Sequence, residues 1–522
     1  MPRSRASFTP RRSSTALSAC LTGLAWLGCI APGLTQASGI MNESTNPYLA
    51  ASSWPITHHD SGASDSSAGP GPTLATQIGS PQFAATNLIN ITLAQSALYP
   101  DGERVYWGSN LVDVYKVAVV QGQLKQVARL AKPGNVFSNL STPTSGAYTL
   151  VDADNVFYTV RGRTLLAYGD AQPGVRTSPI ALLRQFTLPD SVASSDDAIV
   201  GLNLTFDGQL TFVTRNGVVG VLHRDFTQLQ SVVLGDGTEQ VSNSLATDAR
   251  GGIYVVTSLA MYRVQWSGGH LSLDPATGAW RSIYASTSSA GGGRLGAGSG
   301  STPTVMGTEN ERLIVITDGS DVANIVLFWA DAIPSDWQAL DAQTDRRIAA
   351  RLPVNFGDPN RTATQSEQSV VVSGYGAAVV SNDYRHTEAL SGSTGNALLD
   401  QAGNALIVAL SGTTAVQPWG VQKFSWNTAT HQLQSDWSRL DVSCPNAIPT
   451  VSQQSGRFYC VGAFAGKWTI ESLDWTTGGD HFRKSLGVLP RFNSFYAATE
   501  LTGDGGLIYG SLNGVVYLPF QP

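Results

Sequence analysis

The sequence predicts an all-β fold, a β-propeller of seven or eight four-stranded blades with eight preferred, and three observations carry this. A strand-and-hairpin phrase recurs at intervals of roughly 40–60 residues, the length of a four-stranded blade. Within each copy the strands alternate with period two between DG, NG and GG turns, the pattern of half-buried strands joined by hairpins. Charged residues make up only 13% of the chain while Gly reaches 54 of 522 residues, which suits short strands and tight turns.

The elements follow in chain order. Residues 1–37 read as a signal peptide. Arg3, Arg5, Arg11 and Arg12 precede the apolar stretch TALSACLTGLAWLGCIAPGL, and Thr35 and Ala37 set small residues before a cut after Ala37. Leu17-Ser18-Ala19-Cys20 is like a lipoprotein box, but it stands at the front of the apolar stretch. Arg11-Arg12 is like a twin-Arg signal, but no hydrophobic residue follows in the usual place. Plain export, to the periplasm or the medium, is the expectation. No other run approaches the ~20 apolar residues that span a bilayer, so no transmembrane span is expected after signal removal.

Residues 38–85 form a Ser/Gly/Pro-rich lead-in, and residues 86–522 the propeller. The clearest copies of the repeat are GLNLTFDGQLTFVTRNGVVGVLHR at 201–224, NSLATDARGGIYVVTSLAMYRVQW at 243–266 and NSFYAATELTGDGGLIYGSLNGVVYLPF at 493–520. Polar-start strands fall near residues 90, 141, 203, 243, 301, 368, 446 and 493, giving eight blades as first choice and seven as second. The stretch SDWQALDAQTDRRIAARL is read as a helical insert, and NALLDQAGNALIVALSG as an elaborated loop or a further hairpin. The last repeat stops after three strands and would leave unpaired backbone at its edge. A strand from the N-terminal lead-in, with residues 54–60 as the expected source, would close the ring.

The remaining chemistry is sparse. Net charge is −6 with Lys and Arg numbering 32, and without clustered basic residues no nucleic-acid partner is expected. After cleavage two cysteines remain, Cys444 and Cys460, and in an oxidising compartment they are expected to pair. His58 and His59 are the only adjacent histidines among seven. With Asp60 next to them they are weak catalytic candidates, as a base with an orienting carboxylate, or metal ligands; a role in a closing strand is the alternative. No nucleophile elbow, zinc-protease motif or phosphate loop is present in the sequence.

Two resemblances add to this. GLIYGSLNGVVYL, SLDPATGAW and SLDWTTG resemble the repeats of quinoprotein-like propellers, as does the opening WPITHHDSG. The resemblance implies blades, with Asp274, Thr277 and Gly278 shaping a turn. It does not extend to pyrroloquinoline quinone as cofactor, because the adjacent-cysteine disulfide and the Cys-x-x-Cys-His haem motif of such dehydrogenases are missing from the sequence. The second pattern is a set of amides at the starts of first strands: Asn203, Asn243, Gln368, Asn446 and Asn493, with Glu367 directly before Gln368. First strands line the channel of a propeller, so these residues are expected at one mouth, as ligand-binding groups or as caps of turn backbone. The set is similar to the calcium centre of lactonase and gluconolactonase propellers, which implies calcium held by Glu367, Asn243 and Asn493, with Glu367 also a catalytic candidate. Only one carboxylate is in phase, and calcium affinity follows ligand charge.

The functional expectation is an exported, monomeric propeller that binds a small-molecule ligand or an envelope protein at its channel mouth. The alternative is a periplasmic or secreted hydrolase, lyase or isomerase with an Asn/Glu-lined, calcium-dependent site, and the third reading is a quinone-dependent dehydrogenase.

Overall fold

The computed structural model describes residues 45–87, 92–134, 146–286, 297–308, 310–387 and 397–522. The signal-peptide reading of residues 1–37 and the strand starts near 90 and 141 lie outside them. The fold is a β-propeller of eight blades. From inner to outer strand, blade 1 runs from Leu93–Gln95 to Gln123–Ala131, blade 2 from Leu150–Val151 to Ile180–Thr187, and blade 3 from Ile199–Leu204 to Leu229–Val233. Blade 4 starts at Ala246–Thr247 and ends in two short pieces, His270–Ser272 and Trp280–Ile283, both paired with Ala260–Ser267. Blade 5 runs from Thr304–Thr308 to Ile348–Pro353, blade 6 from Val371–Ser373 to Gln432–Arg439, and blade 7 from Thr450–Ser452 to Asp480–Gly487.

Blade 8 has three strands from the C-terminal repeat, beginning at Glu500–Leu501. Its fourth is the N-terminal strand Gln82–Ala85, antiparallel to Gly514–Leu518. An N-terminal strand thus closes the ring, but it is not the one expected at residues 54–60. Gln82–Ala85 lies where the outer edge of blade 8 needs a partner, and it removes the unpaired edge.

The period-two alternation of half-buried strands is confined to the outer strands of the blades. Strands inside a blade are sandwiched between two neighbouring blades, so both of their faces are apolar. In blade 3, Leu210 and Phe212 pack toward blade 2 while Val213 and Val219 pack toward blade 4. Only outer strands face water, and there polar residues appear, as in Gln123–Ala131. The turn in SLDPATGAW is as the sequence implies: Asp274 Oδ1 accepts the Ala276 N–H at 2.9 Å and Gly278 takes a left-handed φ of 99°. Cys444 and Cys460 form a disulfide between the lead-in to blade 7 and its second strand, with Cα atoms 5.9 Å apart.

Two local expectations are corrected. The helical stretch near residue 340 is not a helix; it loops and then supplies the outer strand Ile348–Pro353. Arg346 and Arg347 give their N–H groups to carbonyls of Pro334, Ser335, Trp337 and Trp329, so the stretch is fixed by the blade rather than by helix propensity. Conversely, NALLDQAGNALIVALSG contains an α-helix, Ala397–Leu410, whose Ile407 and Val408 are buried against Tyr384, Phe495 and Tyr496. Among the described residues no helix is long and apolar enough to cross a membrane.

Candidate functional site

Residues 54–65 cross the channel instead of supplying the outer strand of a blade, with Ile56 bridged to Leu150 of blade 2. Their carbonyls accept backbone N–H groups around the ring: Trp54 from Gln95, Pro55 from Val151, Ser61 from Thr247, Gly62 from Val305, Ser64 from Val372 and Asp65 from Val451. Blade 3 joins through Asn203, whose Nδ2 donates to the Ser61 carbonyl at 3.0 Å. The segment can meet so many strands only by turning sharply. His59, Ala63 and Asp65 sit at φ of 74°, 59° and 52°. Left-handed conformations at non-glycine residues cost about 1–3 kcal/mol each and persist where the surroundings over-determine them.

This crossing builds two histidine–carboxylate pairs that face different ways. His59 Nδ1 lies 3.1 Å from Asp60 Oδ2, and its ring stands edge-on to Trp54. Burial works against ionisation of Asp60. The hydrogen bond and charge of His59, with the Ser64 hydroxyl and amide, outweigh it and hold the carboxyl below the ordinary range. His58 pairs with Asp65, seven residues on, at 2.9 Å between Nδ1 and Oδ2. Here burial wins over the attraction of His58 and raises the Asp65 carboxyl.

The other nitrogen of His58 faces hydroxyls. Nε2 is 3.2 Å from Thr302 Oγ1 and 3.5 Å from Ser369 Oγ, contributed by the lead-ins to blades 5 and 6. Tyr148, at the entrance to blade 2, lies 5.8 Å from the His58 ring between centroids. Burial raises its hydroxyl; neighbouring Thr302 and Ser244 oppose the rise, and the Asp65 and Glu367 carboxylates add to it. In the tautomer with its proton on Nδ1 toward Asp65, His58 would present a lone pair at Nε2 to the two hydroxyls. That is the arrangement of a general base held by a carboxylate.

The amides do not form one ring of mutual bonds. Asn203 lies inside the inner strand Ile199–Leu204, and the other four precede their inner strands by several residues. Asn203 Nδ2 also donates to the Leu245 carbonyl, and Asn243 Nδ2 donates to the Ser299 carbonyl at 3.0 Å. Only Asn446 and Asn493 meet, with Nδ2 of Asn446 2.8 Å from Oδ1 of Asn493. Both also donate to the Val408 carbonyl and so hold the last turn of the helix. Their oxygens accept Ser494 Oγ–H and the Phe495 N–H respectively. Gln368 is buried, and neither side-chain atom has a hydrogen-bond partner.

Glu367 is buried and packs against Gly300, and its charge acts on Tyr148, Tyr384 and Tyr496. Among the described residues no group of three or more His, Cys, Asp or Glu is placed to hold a metal ion. Of the calcium set Glu367, Asn243 and Asn493, the Asn493 oxygen already accepts from Asn446 Nδ2 and the Phe495 N–H, which leaves it a poor ligand for a metal. Sequence reasoning missed Asp65, Thr302, Ser369 and Tyr148; it offered Asp60 as the partner of both histidines, and Asp60 meets only His59.

A concavity of ≈760 Å3 opens away from this centre, among the loops entering blades 6 and 7, lined by Arg361, Asp383, Arg385, Trp419 and Phe464 among others. Its Arg361 is answered locally, 3.6 Å from Asp383 and stacked over Phe356.

No family model matches the chain. An uncharacterized protein of Archaeoglobus fulgidus is 36% identical over 491 residues, which span 91% of this chain and 91% of that one. Among solved structures, a europium-containing methanol dehydrogenase aligns with a TM-score of 0.55 at 9% identity, over 90% of this chain and 98% of its own. BamB from Moraxella catarrhalis aligns with a TM-score of 0.38 at 10% identity, over 71% and 95%. At such identity the dehydrogenase likeness shows a common propeller fold.

Proposed function

The chain belongs to one family with the Archaeoglobus fulgidus protein, and from that premise we propose that it is an exported propeller that binds a small polar molecule at its channel mouth, over His58. The observation that carries this is the convergence on His58 Nε2 of hydroxyls from two blade lead-ins, with Asp65 fixing the ring from behind. Strained backbone at His59, Ala63 and Asp65 lies in the segment that carries His58; such strain tends to collect where a site must be held in place. The basic and apolar N-terminus, with a disulfide between Cys444 and Cys460, supports export. The quinoprotein-like repeats contribute architecture here, since their carboxylates Asp274 and Asp474 are spent on turn N–H groups.

The His58–Asp65 pair favours one second reading, turnover. Nε2 would take a proton from a bound hydroxyl or carbon acid, and Asp65 would steady the imidazolium so formed. Ser369 at 3.5 Å stands where a nucleophile or a substrate-orienting hydroxyl would be.

A thermal-shift screen of polar metabolites against the native chain and His58→Gln separates these readings. Binding predicts compounds that raise the native Tm and leave His58→Gln unmoved. Turnover predicts in addition that Asp65→Asn keeps binding but loses product formation by about 10²–10⁴-fold. Compounds that shift both proteins equally would place the binding site elsewhere.

A further inference from the structure

A cluster of buried donors without acceptors sits between blades 1 and 2, apart from the His58 centre. Phe157, Thr159 and Arg161 share the face of blade 2 that turns toward blade 1. Arg161 Nη1 donates to the carbonyls of Lys132 and Pro133, both at 2.9 Å, which fixes the plane of the guanidinium. Its other edge, Nε and Nη2, is buried and has no hydrogen-bond partner. That edge is the fork that grips two oxygens of a carboxylate or phosphate side by side.

Lys132 lies alongside. Its Nζ donates to the Val160 carbonyl at 3.2 Å, and among the described residues no second acceptor meets it. Asn110 Nδ2, at the neighbouring hairpin of blade 1, is also buried and unpartnered, as is the Tyr168 hydroxyl, which acts on Arg161. Lys132, Arg161 and Asn110 are 5%, 7% and 6% exposed. Among the described residues no carboxylate forms an ion pair with either cation; the nearest influence, Asp113, is paired with Arg129 at 3.1 Å. The intervening stretch 135–145, NVFSNLSTPTS, contains no acidic residue. Gly146 completes the wall. At φ of 86°, a Cβ there would fall 2.7 Å from Lys132 Nζ and 2.6 Å from the Val160 carbonyl, so only glycine leaves the ammonium its place.

Two cations side by side in a buried interface are costly unless an anion joins them. Burial and repulsion by Arg161 push the Lys132 amine down to about 7, against the pull of Asp113. We propose that Lys132, Arg161 and Asn110 form an oxyanion-binding site, taking a carboxylate or phosphoryl group on the Nε–Nη2 edge of Arg161 with Lys132 as the second charge. It stands on these donors alone and does not require the His58 reading.

The experiment is thermal unfolding of the full chain titrated with inorganic phosphate, with acetate as the carboxylate arm, and with chloride at matched ionic strength. A saturable rise in Tm with phosphate points to a phosphoryl ligand, and one with acetate to a carboxylate ligand. Either is expected to weaken at least tenfold in apparent affinity in Arg161→Lys, which keeps the charge and loses the fork. Lys132→Met is a second variant that relieves the buried charge; it is expected to fold, to match or exceed the native Tm in anion-free buffer, and to lose the response. No response to either oxyanion, a response equal to that of chloride, or one undiminished in both variants overturns the proposal.

Discussion

Glu500 shows at the scale of one residue how burial and pairing compete. It is almost fully buried, with Gln95 Nε2 3.3 Å from its Oε2. Burial raises its carboxyl well above 4.5; the bonds from Gln95 and the Leu93 backbone offset part of that, and Asp65 adds to it. The folded state therefore keeps a proton that the unfolded chain releases near pH 4.5, so this group's contribution to stability falls as pH rises from there toward the folded value. Glu500→Gln supplies an amide donor in place of the acid proton. It is expected to equal the native protein near pH 4 and to exceed it at pH 8 by about 1–3 kcal/mol, the scale of a buried unsatisfied polar group. Urea unfolding at the two pH values checks this, and parallel pH profiles would show that Glu500 ionises without cost. The same scale explains what sequence reading missed around His58. Adjacent His59 and Asp60 looked like one unit with His58, yet left-handed turns at His59 and Asp65 send His58 to a different carboxylate. Such turns at non-glycine residues leave little trace in sequence.

At the scale of elements, what was readable followed burial and what was not followed neighbours. The Cys444–Cys460 loop was legible because the two cysteines flank a strand–turn–strand phrase only 16 residues long. Closing a loop of that size is worth about 3 kcal/mol in the chain-entropy model. Cys444→Ala/Cys460→Ala is expected to lower unfolding stability by roughly that amount while keeping the β signature in circular dichroism; an unchanged midpoint in guanidinium would show that the native contacts of blade 7 already hold the loop closed. The two misread elements exchanged identities for one reason. Residues 348–353 carry helix formers but fill the outer position of blade 5, and Ala397–Leu410 ends in a β-branched run that becomes the buried face of a helix. The end of that helix is held by Asn446 and Asn493, about forty to eighty residues further along. In both cases tertiary contacts outweighed local propensity.

At the scale of the whole molecule, closure is the decisive event. Ala84 of the closing strand is buried with Leu93 and Tyr106 of blade 1 and Ile508 and Val515 of blade 8. An unpaired charge there, in Ala84→Asp, is expected to cost about 3–5 kcal/mol and to free the Gly514–Leu518 edge, giving a lower midpoint and concentration-dependent association by light scattering. A native-like midpoint and a monodisperse sample would show that blade 8 holds without its N-terminal strand. By itself the sequence determined the all-β class, a repeat of seven or eight blades, an N-terminal strand as the closure and the pairing of the two cysteines, because alternation, turn residues and short loops are local properties. Only the tertiary structure decided that Gln82–Ala85 closes the ring, that residues 54–65 cross the channel, and that His58 meets Thr302 and Ser369, 244 and 311 residues away. A ring brings its first and last repeats together and points every inner strand at one axis, so the residues that share its centre are set by closure and not by spacing along the chain.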